Sequence, residues 1–129
     1  MVPMGSPSKD AEAKAVRVIP GKAAIYVIRS AEYASELHFV TIDRDERVAL
    51  AAKTYAVFSV NPGERTLTFD SAVNREKLKL ITELGKAYFI EMGYGWAGGM
   101  GHVTVVPGVL SESEGKQLLV RAALVLSGD

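Results

Sequence analysis

The sequence predicts a mainly β protein, an antiparallel β-sandwich of about seven or eight strands with one C-terminal amphipathic helix. The first observation is that residues 22–106 consist of short runs of β-branched and aromatic residues, separated by Gly, Pro, Asn and Asp. The second is that apolar residues take up helical spacing after Pro107-Gly108. The chain has 129 residues, which fits a single domain.

The N-terminal residues differ in composition from the rest. Residues 1–15 are small and polar, and we predict a flexible tail or a vector-derived remnant there, with the sandwich domain and its helix over residues 16–129. Residues 11–15 could form a transient helical turn, but they offer no apolar face to bury. The first residues have neither the basic region nor the apolar stretch of a signal peptide.

The first half of the domain predicts four strands. Residues 23–28 are apolar at both alternating sets of positions, which predicts a central strand covered on both faces. Residues 37–43 and 47–51 surround a polar break and predict a hairpin. Residues 54–60 are rich in β-forming side chains and predict the next strand.

The clearest turn signal is Asn61-Pro62-Gly63-Glu64. Proline suits a backbone φ near about −65° and glycine suits a positive φ, which is the pattern of a type II turn. We therefore predict a positive φ at Gly63, and a turn that joins two adjacent antiparallel strands, the second over residues 65–70.

The second half of the domain alternates strands with glycine-rich connections. Residues 77–84 alternate polar with apolar and predict a half-exposed antiparallel strand. A turn at Gly85-Lys86 then leads to a strand over residues 87–92. Five glycines fall within residues 93–101 and predict a long loop, and residues 102–106 predict the last strand.

The C-terminal helix is predicted over residues 112–124. Ser111 and Glu114 form a capping box, in which each side chain satisfies a free backbone N–H of the first turn. Gly115 is expected to weaken this helix by about 1 kcal/mol relative to alanine.

Composition and spacing exclude several classes of function. The chain has no cysteine, which rules out disulfides and thiolate sites, and its 15 basic and 15 acidic residues argue against nucleic acid as a partner. His38 and His102 lie on different predicted strands, so no metal site is predicted. Residues 93–98 match Gly-x-Gly-x-x-Gly without the strand–helix context of a dinucleotide site. We predict no catalytic residue, no cofactor and no enzymatic activity.

The predicted loop over residues 93–101 is the candidate functional surface. Tyr94, Trp96 and Met100 sit on a glycine frame, where they could form a contact surface for a partner or a sugar. Alternatively, the loop is structural and Trp96 folds back over an open end of the core. The sequence leaves both interpretations open.

Four stretches, taken in order, resemble a known family. They are a strand that ends in Arg29, a hairpin over residues 40–50, a strand and Pro-Gly turn over residues 55–67, and a Gly-Lys-x-Tyr strand over residues 84–90. The family consists of small bacterial envelope lipoprotein domains of unknown function that resemble PEGA-type β modules. Arg65 stands where this family often has histidine, and the lipid-accepting cysteine is not among these residues.

The resemblance implies a noncatalytic binding or scaffolding module of the cell envelope, displayed as a lipoprotein domain on the periplasmic side or the surface. Its partner would be an envelope protein or polysaccharide, with Arg29, Tyr94, Trp96 and Met100 as candidate contacts. Membrane attachment would occur only through a lipid anchor, and a homodimer is compatible with this reading. The alternatives are a protein-interaction module that uses a strand edge or the C-terminal helix, a carbohydrate-active enzyme, and a cytoplasmic location.

Overall fold

The computed structural model describes residues 4–29, 37–45, 47–71, 74–97 and 102–125, with the backbone alone for residues 94–97 and 102–105. Within these residues the chain forms two helices and nine strands, in the order α1 (Pro7–Lys14), β1 (Ala23–Arg29), β2 (His38–Ile42), β3 (Val48–Leu50), β4 (Thr54–Val60), β5 (Gly63–Asp70), β6 (Arg75–Thr82), β7 (Ala87–Ala97), β8 (His102–Leu110), α2 (Glu112–Val120) and β9 (Ala123–Leu124). The predicted β-sandwich with a C-terminal helix is confirmed.

The strands form two sheets. The larger sheet has the order β8-β7-β1-β4-β9 and the smaller has the order β3-β2-β5-β6. Most neighbouring strands are antiparallel, but β1 pairs in parallel with β7, and β4 in parallel with β9. A hairpin forces antiparallel pairing, whereas β7 follows a strand of the smaller sheet and β9 follows a helix, so neither is bound by that constraint.

Strand β1 lies at the centre of the larger sheet, and all seven of its residues are buried. One face packs on the smaller sheet, through core residues that include Ile25, Val27, Val40, Phe69 and Ile90. The other face, called the outer face here, packs with the C-terminal helix region through residues that include Tyr26, Ile28, Phe89 and Leu119. This confirms the prediction of a central strand covered on both faces.

Helix α1 occupies most of the segment expected to be a tail. The Ser6 side chain accepts a hydrogen bond from the Lys9 N–H at 3.2 Å, and Pro7 is at the first helical position, so the helix begins with a regular N-cap. The expectation of a flexible tail missed this helix, because α1 has no apolar periodicity. It is held by polar contacts with the sheet, described below.

The turn at Pro62 and Gly63 matches the sequence prediction in one respect and corrects it in another. Gly63 has φ of 133°, a positive value, as predicted. However, β4 lies in the larger sheet and β5 in the smaller one, so the turn does not join paired neighbours. It carries the chain across the sandwich, and β5 pairs with β2 and β6.

The predicted loop over residues 93–101 is wrong for its first half, because β7 continues to Ala97. Strands β7 and β8 pair in one long hairpin, in which Gly93 faces Val106. A Cβ atom at Gly93 would lie 3.0 Å from the Val106 carbonyl oxygen, so glycine here permits close approach of two backbones. Residues 98–101 lie outside the described residues.

Helix α2 confirms the capping box, with the Glu114 N–H donating to Ser111 Oγ and the Ser111 N–H donating to Glu114 Oε1, both at 3.2 Å. The helix ends at Val120, earlier than predicted, because the chain turns to form β9 beside β4. Gly115 is buried against the larger sheet, where a Cβ atom would overlap the ring of Phe89. The glycine therefore permits close packing between α2 and β7.

Candidate binding site

A cavity of about 930 Å³ lies between α1, with the loop that follows it, and the outer face of the larger sheet. We call it the α1 groove. Its floor consists of Ala24 and Tyr26 from β1 with Val57 and Ser59 from β4. Its volume falls within the range of about 300–1,000 Å³ that is usual for sites of small ligands.

The alternation of side chains along β1 and β4 puts the residues of the groove floor on the same face of the sheet. In the antiparallel pairing of β1 with β4, Ala24 lies opposite Ser59 and Tyr26 lies opposite Val57. These residues are two apart on each strand, so their side chains share the outer face. The two small side chains, Ala24 and Ser59, leave space above the sheet.

Helix α1 forms one wall of the groove. Ala11 and Ala15 are one helical turn apart and line the cavity, so this wall is made of short apolar side chains. The exposed Lys9, Glu12 and Arg17 also line it and place charges at its rim. The described lining thus combines an apolar interior with a charged rim, as binding sites commonly do.

Two buried tyrosines hold α1 above the sheet. Tyr26 Oη donates to the Ala13 carbonyl oxygen at 2.5 Å, and Tyr55 Oη donates to Asp10 Oδ1 at 2.6 Å. Lys14 Nζ lies 3.1 Å from the other carboxylate oxygen of Asp10. We call Asp10, Tyr55 and Lys14 the α1 tether.

The contacts within the α1 tether determine the protonation states of Tyr55 and Asp10. Burial, followed by the hydrogen bond to the Asp10 carboxylate, raises the pKa of Tyr55 far above its usual value. For Asp10, burial alone would raise the pKa, but the hydrogen bonds from Tyr55 and Lys14 and the charge of Lys14 outweigh it and lower the net pKa. At neutral pH the phenol is therefore protonated and the carboxylate is charged, an arrangement suited to holding the helix in place.

Within the described ranges, the outer edge of β4 has no paired strand beyond Tyr55. Strand β9 pairs only with Thr54 and Tyr55. The Val125 N–H donates to the Tyr55 carbonyl oxygen at 3.0 Å, so Tyr55 directs its backbone groups toward this edge. Because backbone directions alternate along a strand, the N–H and C=O groups of Val57 and Ser59 face the same edge. Among the residues that the structure describes, no strand lies beside them.

The three other sheet edges carry features that disfavour pairing with a further strand. Strand β3 has only three residues. Strand β6 presents the exposed charged side chains of Arg75, Lys77 and Lys79. Strand β8 contains Pro107, which has no N–H to donate. Strand β4 contains neither proline nor a charged residue, so its free edge has none of these features.

None of the four candidate contacts from the sequence is among the described residues that line the groove. Tyr94 and Trp96 belong to β7, but their side chains, and Met100 entirely, are outside the described residues, so their role stays a prediction. Arg29 is fully buried, and its Nη1 donates to the Leu50 carbonyl oxygen at 2.6 Å. In this structure Arg29 connects the two sheets, since β1 and β3 belong to different ones.

Sequence reasoning missed the α1 groove, although two signals pointed to it. Tyr26 and Tyr55 lie on strands whose side chains are largely buried, and a buried tyrosine hydroxyl requires a hydrogen-bond partner from outside the sheet. Ser6-Pro7 is also a typical helix start, with an N-cap followed by proline. Together these signals would have predicted a helix packed on the outer face.

Comparisons with known proteins do not assign the chain to a family. No protein-family model matches it, and a search of curated proteins found no significant match. The described residues contain no group of three or more His, Asp or Glu side chains that could hold a metal ion. None of the helices in the described ranges is long and apolar enough to cross a membrane.

Proposed function

We propose that the chain is a noncatalytic binding module and that the α1 groove is its ligand site. The observation that carries this proposal is the cavity of about 930 Å³ with an apolar floor, held open by a tethered helix. Transfer of apolar surface from water into such a cavity is favourable by roughly 25 cal/mol per Å². A ligand with an apolar portion therefore fits this site best.

The chemistry of the lining favours binding over catalysis. A glycosidase needs two carboxyl groups about 5–10 Å apart, and Glu12 is the one carboxylate on the described lining. The Tyr26 hydroxyl is already engaged with the Ala13 carbonyl oxygen. Lys9 and Arg17 lie at the exposed rim, where they can orient a ligand but are solvated.

The proposal places the module in the bacterial cell envelope, with an envelope protein or polysaccharide as its partner. This location is supported by the resemblance of the sequence to bacterial envelope lipoprotein domains. The stretches that carry the resemblance are the strand that ends in Arg29, the hairpin over residues 40–50, the Pro62-Gly63 turn and the strand that follows Gly85-Lys86. The reading frame upstream of residue 1 tests the location. We expect a hydrophobic leader that ends in a lipid-accepting cysteine, and a frame with no such leader would contradict the envelope location.

The binding proposal is tested by heteronuclear NMR titration with two sets of probes, small apolar compounds such as indole and cyclohexanol, and soluble cell-wall saccharides. We expect an apolar probe to shift the amide signals of Ala24, Tyr26 and Val57. The Ala11→Trp variant, which fills the groove from α1, should abolish these shifts. Gln117→Trp, at an exposed position of α2, is the matched control and should retain them.

Two results would contradict the proposal. The first is that neither set of probes shifts the groove signals. The second is that a probe shifts them equally in the wild type and in the Ala11→Trp variant, because the shifts would then arise away from the cavity.

A further inference from the structure

We infer that the occupant of the α1 groove is an extended peptide segment of another protein, which adds a strand to the open edge of β4. This inference rests on the proposed function and names the class of ligand and its binding mode. It combines two features that lie side by side, the backbone groups of Val57 and Ser59, which have no strand partner on this edge among the described residues, and the apolar cavity that the same two residues line.

The edge of β4 can form further hydrogen bonds beyond β9. The ladder between β9 and β4 ends with the bond from the Val125 N–H to the Tyr55 carbonyl oxygen. The next bond of a parallel ladder would run from the Val57 N–H to the Val125 carbonyl oxygen, and it is not present among the described residues. Within the described part of the chain, two N–H donors and two C=O acceptors, on Val57 and Ser59, therefore remain for an incoming strand.

The cavity lies on the outer face of the sheet beside this edge, since Val57 and Ser59 line it. A strand added to β4 would lie about 4.8 Å from it, with side chains alternating between the two faces of the sheet. The side chains on the outer face would lie on the same side of the sheet as that of Val57, which lines the α1 groove. The bound segment should therefore carry an apolar residue at the alternate positions that face the groove.

A peptide matches the chemistry of this site better than other classes of ligand. A small apolar molecule or a saccharide could fill the cavity but has no repeating backbone to match the N–H and C=O groups of Val57 and Ser59. An extended peptide satisfies both features at once. The described rim of the groove carries two cations, Lys9 and Arg17, and one anion, Glu12. In the bound peptide, an acidic residue next to the apolar one is therefore favoured.

The test begins with a phage-displayed library of random heptapeptides, selected on the wild-type chain alone, so that the selection itself favours no outcome at Ser59. The Ser59 N–H faces the open edge, so proline there removes a donor for the added strand and leaves the pairing of β4 with β1 intact. Ser59→Thr keeps the N–H and is the matched control. We expect the selected peptide to lose about tenfold or more in affinity on Ser59→Pro and to bind Ser59→Thr like the wild type.

A second measurement does not depend on the folding of any variant. Each amide of the selected peptide is methylated in turn, and each methylated peptide is titrated against the wild-type chain. We expect affinity to fall at every second position, because alternate N–H groups face β4. Equal losses at all positions, or no loss at any, would overturn strand addition.

The outcomes separate this inference from the proposed function. If peptides bind and are blocked by Ala11→Trp but do not depend on Ser59→Pro or on methylation, the groove is a ligand site and strand addition is wrong. If no peptide is selected while indole shifts the groove signals, the inference falls and the proposed function stands. Self-association that Ser59→Pro abolishes, measured by sedimentation, would show that a second copy pairs with this edge and would also overturn it.

Discussion

Tyr55 shows how one polar atom on a buried strand can position a separate element. The residue is fully buried, and its ring lies 6.3 Å from that of Tyr26, whose ring stacks on Phe89 at 5.1 Å. The Tyr55 hydroxyl donates a hydrogen bond to the Asp10 carboxylate at 2.6 Å. The stacked rings restrict where the hydroxyl can lie, and so they also fix where α1 can sit.

Removal of this hydroxyl should destabilise the protein. Tyr55→Phe keeps the ring packing but deprives Asp10 of its hydrogen bond, and we expect a loss of about 1.5–3 kcal/mol in the free energy of unfolding, measured by urea denaturation. Tyr88→Phe is the control, because the Tyr88 hydroxyl accepts a hydrogen bond from the Glu83 N–H at an exposed site. Equal effects of the two substitutions would contradict a specific role for the tether.

The charge of Asp10 predicts a dependence of stability on pH. Its pKa is lower in the folded protein than the ordinary value of 3.8, because the hydrogen bonds from Tyr55 and Lys14 outweigh the effect of burial. A lowered folded pKa contributes stability that is present above about pH 3.8 and is lost as the pH falls further. We therefore expect the difference in unfolding free energy between the wild type and Asp10→Asn to shrink below that pH, in urea denaturation measured between about pH 2.5 and 6. A difference that stays constant across the range would contradict this.

At the scale of elements, the packing of α2 on the sheet depends on a residue without a side chain. The sequence predicted that Gly115 only weakens the helix, through its backbone entropy. The structure places it against Phe89, where the absence of a Cβ atom lets the helix approach the sheet. Helix propensity and packing therefore favour opposite substitutions at this position.

Gly115→Ala tests which of the two effects is larger. Alanine improves helix propensity by about 1 kcal/mol, but its Cβ atom would overlap the Phe89 ring, and overpacking of this kind costs roughly 1–3 kcal/mol. We expect a net loss of stability and a lower melting temperature. Gly108→Ala is the matched control, because no neighbouring atom lies within 4 Å of the added Cβ atom. A rise in melting temperature for Gly115→Ala would show that propensity dominates.

Elements encoded by local patterns could be predicted from the sequence, and elements encoded by distant contacts could not. Alternation identified β1 and the hairpin of β2 and β3, and the capping box identified the start of α2. Helix α1 was missed because its position depends on tyrosines in other elements. The end of β7 was missed because Gly93 and Gly95, which suit a loop, here lie opposite β8 in a hairpin.

At the scale of the whole molecule, the candidate site was not predicted because it too depends on contacts between residues that are distant in sequence. The α1 groove is built from α1, β1 and β4, and Ala11, Ala24 and Val57 carry no motif that links them in sequence. Their proximity follows from the sheet order and from the tether. The charge balance and the absence of cysteine could exclude classes of chemistry, but the shape of the cavity required the fold.

The two described ends of the chain meet at one edge of the larger sheet. Met4 pairs with Val125, and the Gly5 N–H donates to the Leu124 carbonyl oxygen at 2.9 Å. A mechanical pull on these ends would load this short contact first, and its hydrogen bonds would break one after another. The load would then reach α1 and β9 before it reached the core of the sandwich. Tension applied through both ends would therefore strip the wall from the α1 groove while the two sheets stayed packed.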